Sequence, residues 1–98
     1  MGEEVEVRDL VMTAVTNALR MKGRRTDDLS GASVLIGTDA IIDSISMVTL
    51  IVEIEESVAN RFGKEVILAG DGEIFGAESP FRTLDLLVAH VLRLLAED

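Results

Sequence analysis

Asp43-Ser44-Ile45 sets a hydroxyl directly after a carboxylate, at the mouth of an apolar segment that runs into Glu53, Glu55 and Glu56. A serine at the start of a helix meets the partial positive charge and free N–H groups of the helix N-terminus, which favour phosphate oxygens placed there. The chemistry that suits this arrangement is attachment of a phosphate-linked group to Ser44. The downstream glutamates then offer a negative handle to a basic partner. Taken alone, the tripeptide is a weak signal, because Asp and Ser at this place are also ordinary helix caps. Ser46 is the rival hydroxyl, but a helix beginning near Ser44 turns it towards a polar strip and away from the helix end.

The other candidates for chemistry are poor. The chain has no cysteine, so a thiol must come from an attached group or a partner. His90 is the one histidine and sits among Leu86, Leu87, Val91 and Leu94, a setting for a satisfied core-edge side chain; no nucleophile is spaced to pair with it. Asp71-Gly72-Glu73 lacks the further ligand positions of a calcium loop and reads as a turn. With no nucleophile-elbow pattern either, a hydrolase is disfavoured.

Three amphipathic segments have to position Ser44. Val7, Leu10, Val11, Ala14, Ala18 and Met21 recur at three- and four-residue intervals, with Val15 widening the stripe, and predict a helix from Glu4 to Lys22 that Gly23 stops. Residues 24–43 form a long connection in which Leu29, Val34, Leu35 and Ile36 tuck into the core and Ile41 and Ile42 join them just before the serine. The basic cluster Arg20, Lys22, Arg24 and Arg25 reads as a solvated turn. A second helix is predicted from Ser44 to Phe62, with Gly63 as its stop. It carries two apolar stripes: Met47, Leu50, Ile51, Ile54 and Val58 on one side, and Ile45, Val48, Val52 and Ala59 nearly opposite, flanked by Glu55 and Glu56. A second apolar face needs a second neighbour, from the chain or from a partner. Residues 64–80 are irregular and glycine-rich, with a short helical turn expected around Gly72 to Phe75. The last helix is predicted to start at Thr83 or Leu84, capped by Thr83, and to end near Ala96.

Composition agrees with a helical bundle. The 98 residues are 48% hydrophobic but only 3% aromatic, with no Trp or Tyr, so a core of Leu, Ile, Val and Ala is expected in place of a sheet. A formal charge of −9 argues against nucleic acid, whose phosphates demand clustered Lys and Arg, and against anionic membrane surfaces. The acidic first residues give no sign of a signal peptide, and no apolar run reaches the length of a membrane span. The expectation is one cytoplasmic domain over residues 1–98, monomeric by default.

The stretch Leu35 to Glu56, LIGTDAIIDSISMVTLIVEIEE, is similar along its length to the central segment of acyl carrier proteins. It looks closest to the discrete D-alanyl and peptidyl carriers of that family. Phe81-Arg82-Thr83-Leu84 resembles the family's closing segment. The resemblance implies an all-α fold, an acyl-carrier-like bundle of three long helices plus one short helix, with a long loop before helix two. It also implies a 4'-phosphopantetheine arm on Ser44, joined by a phosphodiester, with Asp43 helping a phosphopantetheinyl transferase position the serine and its metal. Ile45 would stand next to the arm. Val48, Val52, Glu55 and Glu56 would form the face that meets partner enzymes, the ligase, synthase or transferase that loads and unloads an acyl or aminoacyl group. The protein itself would be a non-enzymatic carrier.

Some positions depart from the family pattern. Ile41 and Ala40 stand three and four residues before the serine, where members often have glycine. Thr49 replaces an acidic residue common in fatty-acid carriers, and Ala59 to Phe81 is longer than usual. These departures point away from the housekeeping carrier of fatty-acid biosynthesis and towards specialised lipid metabolism or a secondary-metabolite pathway. The alternative is an unmodified helical adaptor that binds a basic partner through the same acidic, apolar second helix.

Overall fold

Two glycines and two capping side chains decide where the helices of this chain stop and start. The computed structural model describes residues 2–27, 29–36, 40–69 and 79–97. Within them lie α1 (Gly2–Met21), α2 (Ser44–Phe62) and α3 (Leu84–Ala96). Among the described residues there is no strand, only an isolated antiparallel bridge between Val34 and Thr83. The short turn expected around Gly72 to Phe75 lies outside the described residues, as do Asp71-Gly72-Glu73, Gly37 and Thr38.

Gly23 ends α1 in the left-handed conformation, with φ 70°. Its N–H donates to Arg20 O at 3.0 Å and the Arg24 N–H to Leu19 O at 2.9 Å, the paired bonds of a Schellman stop. Gly63 ends α2 in the same left-handed conformation, at φ 67°, but with the single N–H bond to Ala59 O of the simpler αL stop. A side chain at these two positions would be strained by the backbone itself. At the other ends, Asp43 caps α2 and Thr83 caps α3, each accepting from the N–H three residues on.

The helices pack around α1. It lies against both α2 and α3, whereas no Cα of α2 comes within 8 Å of one in α3. Ion pairs fix α1 and α2 antiparallel: Lys22 at the end of α1 meets Asp43 at 3.5 Å, and Asp9 near its start meets Arg61 at 3.9 Å. Val7, Leu10, Val11, Ala14, Val15, Ala18 and Leu19 of α1 are buried, as are Met47, Leu50, Ile51, Ile54 and Val58 of α2 and Leu84, Leu87, Val88 and Val91 of α3. Leu35, Ile42, Leu68 and Phe81 close this core from the connections, with Leu29, Ile36 and Ile41 half-buried against it.

The limits of α1, Gly2 to Met21, fall within two residues of those expected, about Glu4 to about Lys22, and one expectation inside it is corrected. Met21, counted as core by its spacing, is 80% exposed, while Leu19, not counted, is buried. The helix stops at Met21, whose side chain stands clear of the core, while Leu19, off the expected stripe, belongs to the buried cluster.

The connection before α2 is laced by its main chain to the start of α3. Leu35 N–H donates to Arg82 O at 2.7 Å, Leu84 N–H to Ser33 O at 3.2 Å and Asp85 N–H to Gly31 O at 2.8 Å. The last two use free N–H groups of the first turn of α3. Ile41 N–H bonds back to Val34 O at 2.9 Å, turning the chain so that Ile42 is buried and Asp43 emerges at the surface. Replacing Leu50, which is fully buried, by Ala should cost about 2–5 kcal/mol of stability. The check is a lower urea midpoint at unchanged slope.

Candidate functional site

Ser44 is the first helical residue of α2, and the geometry around it begins with its neighbour. Asp43 is extended, at φ −83° and ψ 171°, and its Oδ1 accepts the Ser46 N–H at 2.7 Å. Met47 N–H bonds to Asp43 O at 2.9 Å. The Ser46 N–H foremost, then the Ser46 hydroxyl and the Lys22 ammonium, hold the Asp43 carboxyl below the ordinary carboxylate value. The Ser46 N–H therefore serves the helix end. As the third residue of the helix it comes round beneath the cap.

Lys22 adds a charge that the sequence did not assign to this place. Its ammonium lies 3.5 Å from Asp43 Oδ2, with both side chains about half exposed. Of the basic cluster, Arg20, Arg24 and Arg25 are exposed, and Arg25 pairs locally with Asp27 at 3.0 Å. The start of α2 thus combines the positive end of a helix dipole, the Asp43 carboxylate and one lysine. An anionic group added here would meet a cation within reach as well as the carboxylate.

From this end an apolar line runs down α2. Ile45 is 78% exposed, Val48 53% and Val52 48%, and their spacing of three and four residues puts them on one face. Burial under the irregular segments, the plain alternative for this stripe, does not occur at these three positions; only Ala59, at its far end, is half-covered. Val48 and Val52 alternate with the buried Met47, Leu50 and Ile51, so the helix has one face in the core and another unpartnered.

The acidic residues at the foot of this line differ in what they do. Glu56 is exposed. Glu55 is half-buried and its Oε2 accepts the Leu68 N–H at 2.9 Å. Glu53 accepts from Asn17 Nδ2 at 3.2 Å and lines, with Ser57, Asn60 and Arg61, a groove of about 350 Å³ over Leu10 and Ala14 of α1. The polar strip of α2 is therefore the rim of its seam with α1.

His90 is held at the edge of the core. Its Nε2 lies 2.8 Å from Leu68 O, its Nδ1 lies 2.9 Å from Arg93 Nη2, and Phe81 meets its ring edge-on at 5.7 Å. Both ring nitrogens are engaged, as expected for a structural histidine. Among the described residues, no group of three or more His, Asp or Glu side chains could hold a metal ion. No helix among them is long and apolar enough to cross a membrane.

Compared with known protein families, with curated proteins and with solved structures, the chain matches none.

Neighbouring substitutions should separate the two faces of α2. Val52→Asp should leave stability within about 0.5 kcal/mol, whereas Ile51→Asp, one residue away, should unfold the protein by burying a carboxylate; thermal melts of the two variants decide this. Asp43 supplies a pH dependence of known sign. Its folded-state carboxyl lies below the ordinary value of 3.8, so its contribution is fully present above that pH and is lost as the pH falls through the folded-state value. Wild type should be more stable than Asp43→Asn at pH 6, and the difference should close on acidification below 3.8, read from denaturation midpoints.

Proposed function

We propose that this protein is a carrier that holds an acyl or aminoacyl group through a 4'-phosphopantetheine arm on Ser44. The observation that carries the reading is the exposed line Ile45, Val48 and Val52, which starts at Ser44 and ends beside Glu55 and Glu56. An attachment point that is visited by one enzyme after another needs a docking face running from it, and a monomeric helical bundle rarely leaves three aliphatic side chains in a row without a use. The resemblance of residues 35–56 to acyl carrier proteins points the same way.

The residues at the start of α2 fit such a group. Ser44 would carry the phosphodiester, Asp43 would orient the serine for a phosphopantetheinyl transferase, and Lys22 would offset the added negative charge. Once attached, the arm would supply the thiol that this cysteine-free chain lacks. The docking line would then recruit a loading ligase, a synthase or an acyl transferase through aliphatic contact. The glutamates would speed and select encounters with basic surfaces, leaving affinity modest so that each partner can be left.

This reading carries the finer expectations with it: the acyl-carrier-like arrangement with a short helix between α2 and α3, a cytoplasmic monomer, and a specialised lipid or secondary-metabolite pathway.

The test is intact mass after incubation with coenzyme A and a broad-specificity phosphopantetheinyl transferase. The Ser44 hydroxyl oxygen would bond to the pantetheine-side phosphorus of coenzyme A as the pyrophosphate P–O bond breaks, giving up its proton and releasing adenosine 3',5'-bisphosphate. One addition of the phosphopantetheine mass is expected, and none in Ser44→Ala. No addition, under conditions that load a control carrier, would replace this reading by the unmodified adaptor, which uses the same face of α2 without a modified serine.

A further inference from the structure

Leu68 ties α2 to α3 through both of its main-chain polar groups. No Cα of α2 lies within 8 Å of one in α3, yet the Leu68 N–H donates to Glu55 of α2 at 2.9 Å and its carbonyl receives His90 of α3 at 2.8 Å. The Leu68 side chain is buried in the core between them. Residues 64–69 therefore form a strap, fixed at its first residue by Lys64 Nζ, which donates to Leu95 O at 2.9 Å and to Glu97 O beyond the end of α3.

The α3 half of this attachment is locked and the α2 half is not. An arginine can only donate, so Arg93 Nη2 must give its hydrogen to His90 Nδ1, which leaves Nε2 as the nitrogen that carries a proton and donates to Leu68 O. Phe81 braces the ring, and Arg93 is itself held by Glu97 at 3.1 Å. Glu55 has no such brace among the described contacts. It stands three residues after the exposed Val52 and beside the exposed Glu56. A carboxylate gains more from pairing with a cation than from its bond to a neutral amide donor.

We propose that Leu68 is a clasp between α2 and α3, and that a cationic partner group docking beside Val52 opens it by taking the Glu55 carboxylate. The release half rests on the docking face described above; the clasp does not. Docking and the spacing of α2 from α3 then become one event: a partner that supplies a lysine or arginine at Glu55 loosens the strap, and departure of the partner restores it. Glu56 contributes to the encounter alone.

The experiment is residue-resolved amide hydrogen exchange on the full chain, for wild type, Glu55→Gln and Glu56→Gln, each free and saturated with a phosphopantetheinyl transferase. In the free proteins, Leu68 should exchange about tenfold faster in Glu55→Gln than in wild type. It should be unchanged in Glu56→Gln, with the Val11 amide of α1 as the control for global stability. Transferase should raise Leu68 exchange in wild type by a similar factor and add nothing in Glu55→Gln. Equal Leu68 exchange in wild type and Glu55→Gln, or loss that extends equally to Val11, overturns the clasp. Unchanged Leu68 exchange in a complex that still loads Ser44 overturns the release while the carrier reading stands. Failure to load Ser44 removes the carrier reading and the release together, and the free-protein comparison still decides the clasp.

Discussion

The structure depends on α1 having an apolar face wide enough to bury two helices at once. Seven of its side chains from Val7 to Leu19 are buried, and α2 and α3 both rest on them. A narrow stripe would serve one neighbour; a face as wide as this one serves two. Because α1 takes up the inner faces of both partners, α2 is left with one further side that nothing in the described bundle covers. The exposed line Ile45, Val48 and Val52 follows from that division of contacts, as does the need for a separate strap at Leu68.

The electrostatics at the start of α2 follow from the same packing. Antiparallel pairing of α1 and α2 brings the basic end of α1 to the capped start of α2, so Lys22 faces Asp43. Each of these charges also suits its own helix, a cation in the region of a C-terminus and an anion at an N-terminus. Two helix ends with favourable charges of opposite sign are thereby brought together, and the serine follows directly after.

What could be read in the sequence was whatever local rules decide. Gly23, Gly63 and Thr83 set helix limits through backbone conformation and capping, which act within a few residues, and the limits of α2 and α3 came out as expected. The two stripes of α2 were separable because three- and four-residue spacing is a property of one helix. What periodicity cannot see is which neighbour ends first. Met21 had core spacing and stands exposed, whereas Leu19, off that spacing, is buried. The pairings Lys22–Asp43, Glu55–Leu68 and His90–Leu68 join residues 21, 13 and 22 positions apart. No spacing rule reaches that far, and a glutamate tied to a backbone amide looks, in sequence, like any other on an acidic helix.

The connection that delivers the chain to Ser44 is held mostly by main-chain bonds, Leu35 to Arg82, Leu84 to Ser33 and Asp85 to Gly31. Every residue type but proline offers the same N–H and carbonyl, so substitutions at Ser33 or Arg82 would leave the lacing in place. A path written in the backbone can keep its course while the letters along it drift. The position of the serine is thus tolerant of many changes in its own approach, Gly31 excepted, where a side chain would meet the Asp85 carboxylate. Otherwise it answers to Leu35 and Ile42, which anchor the loop in the core.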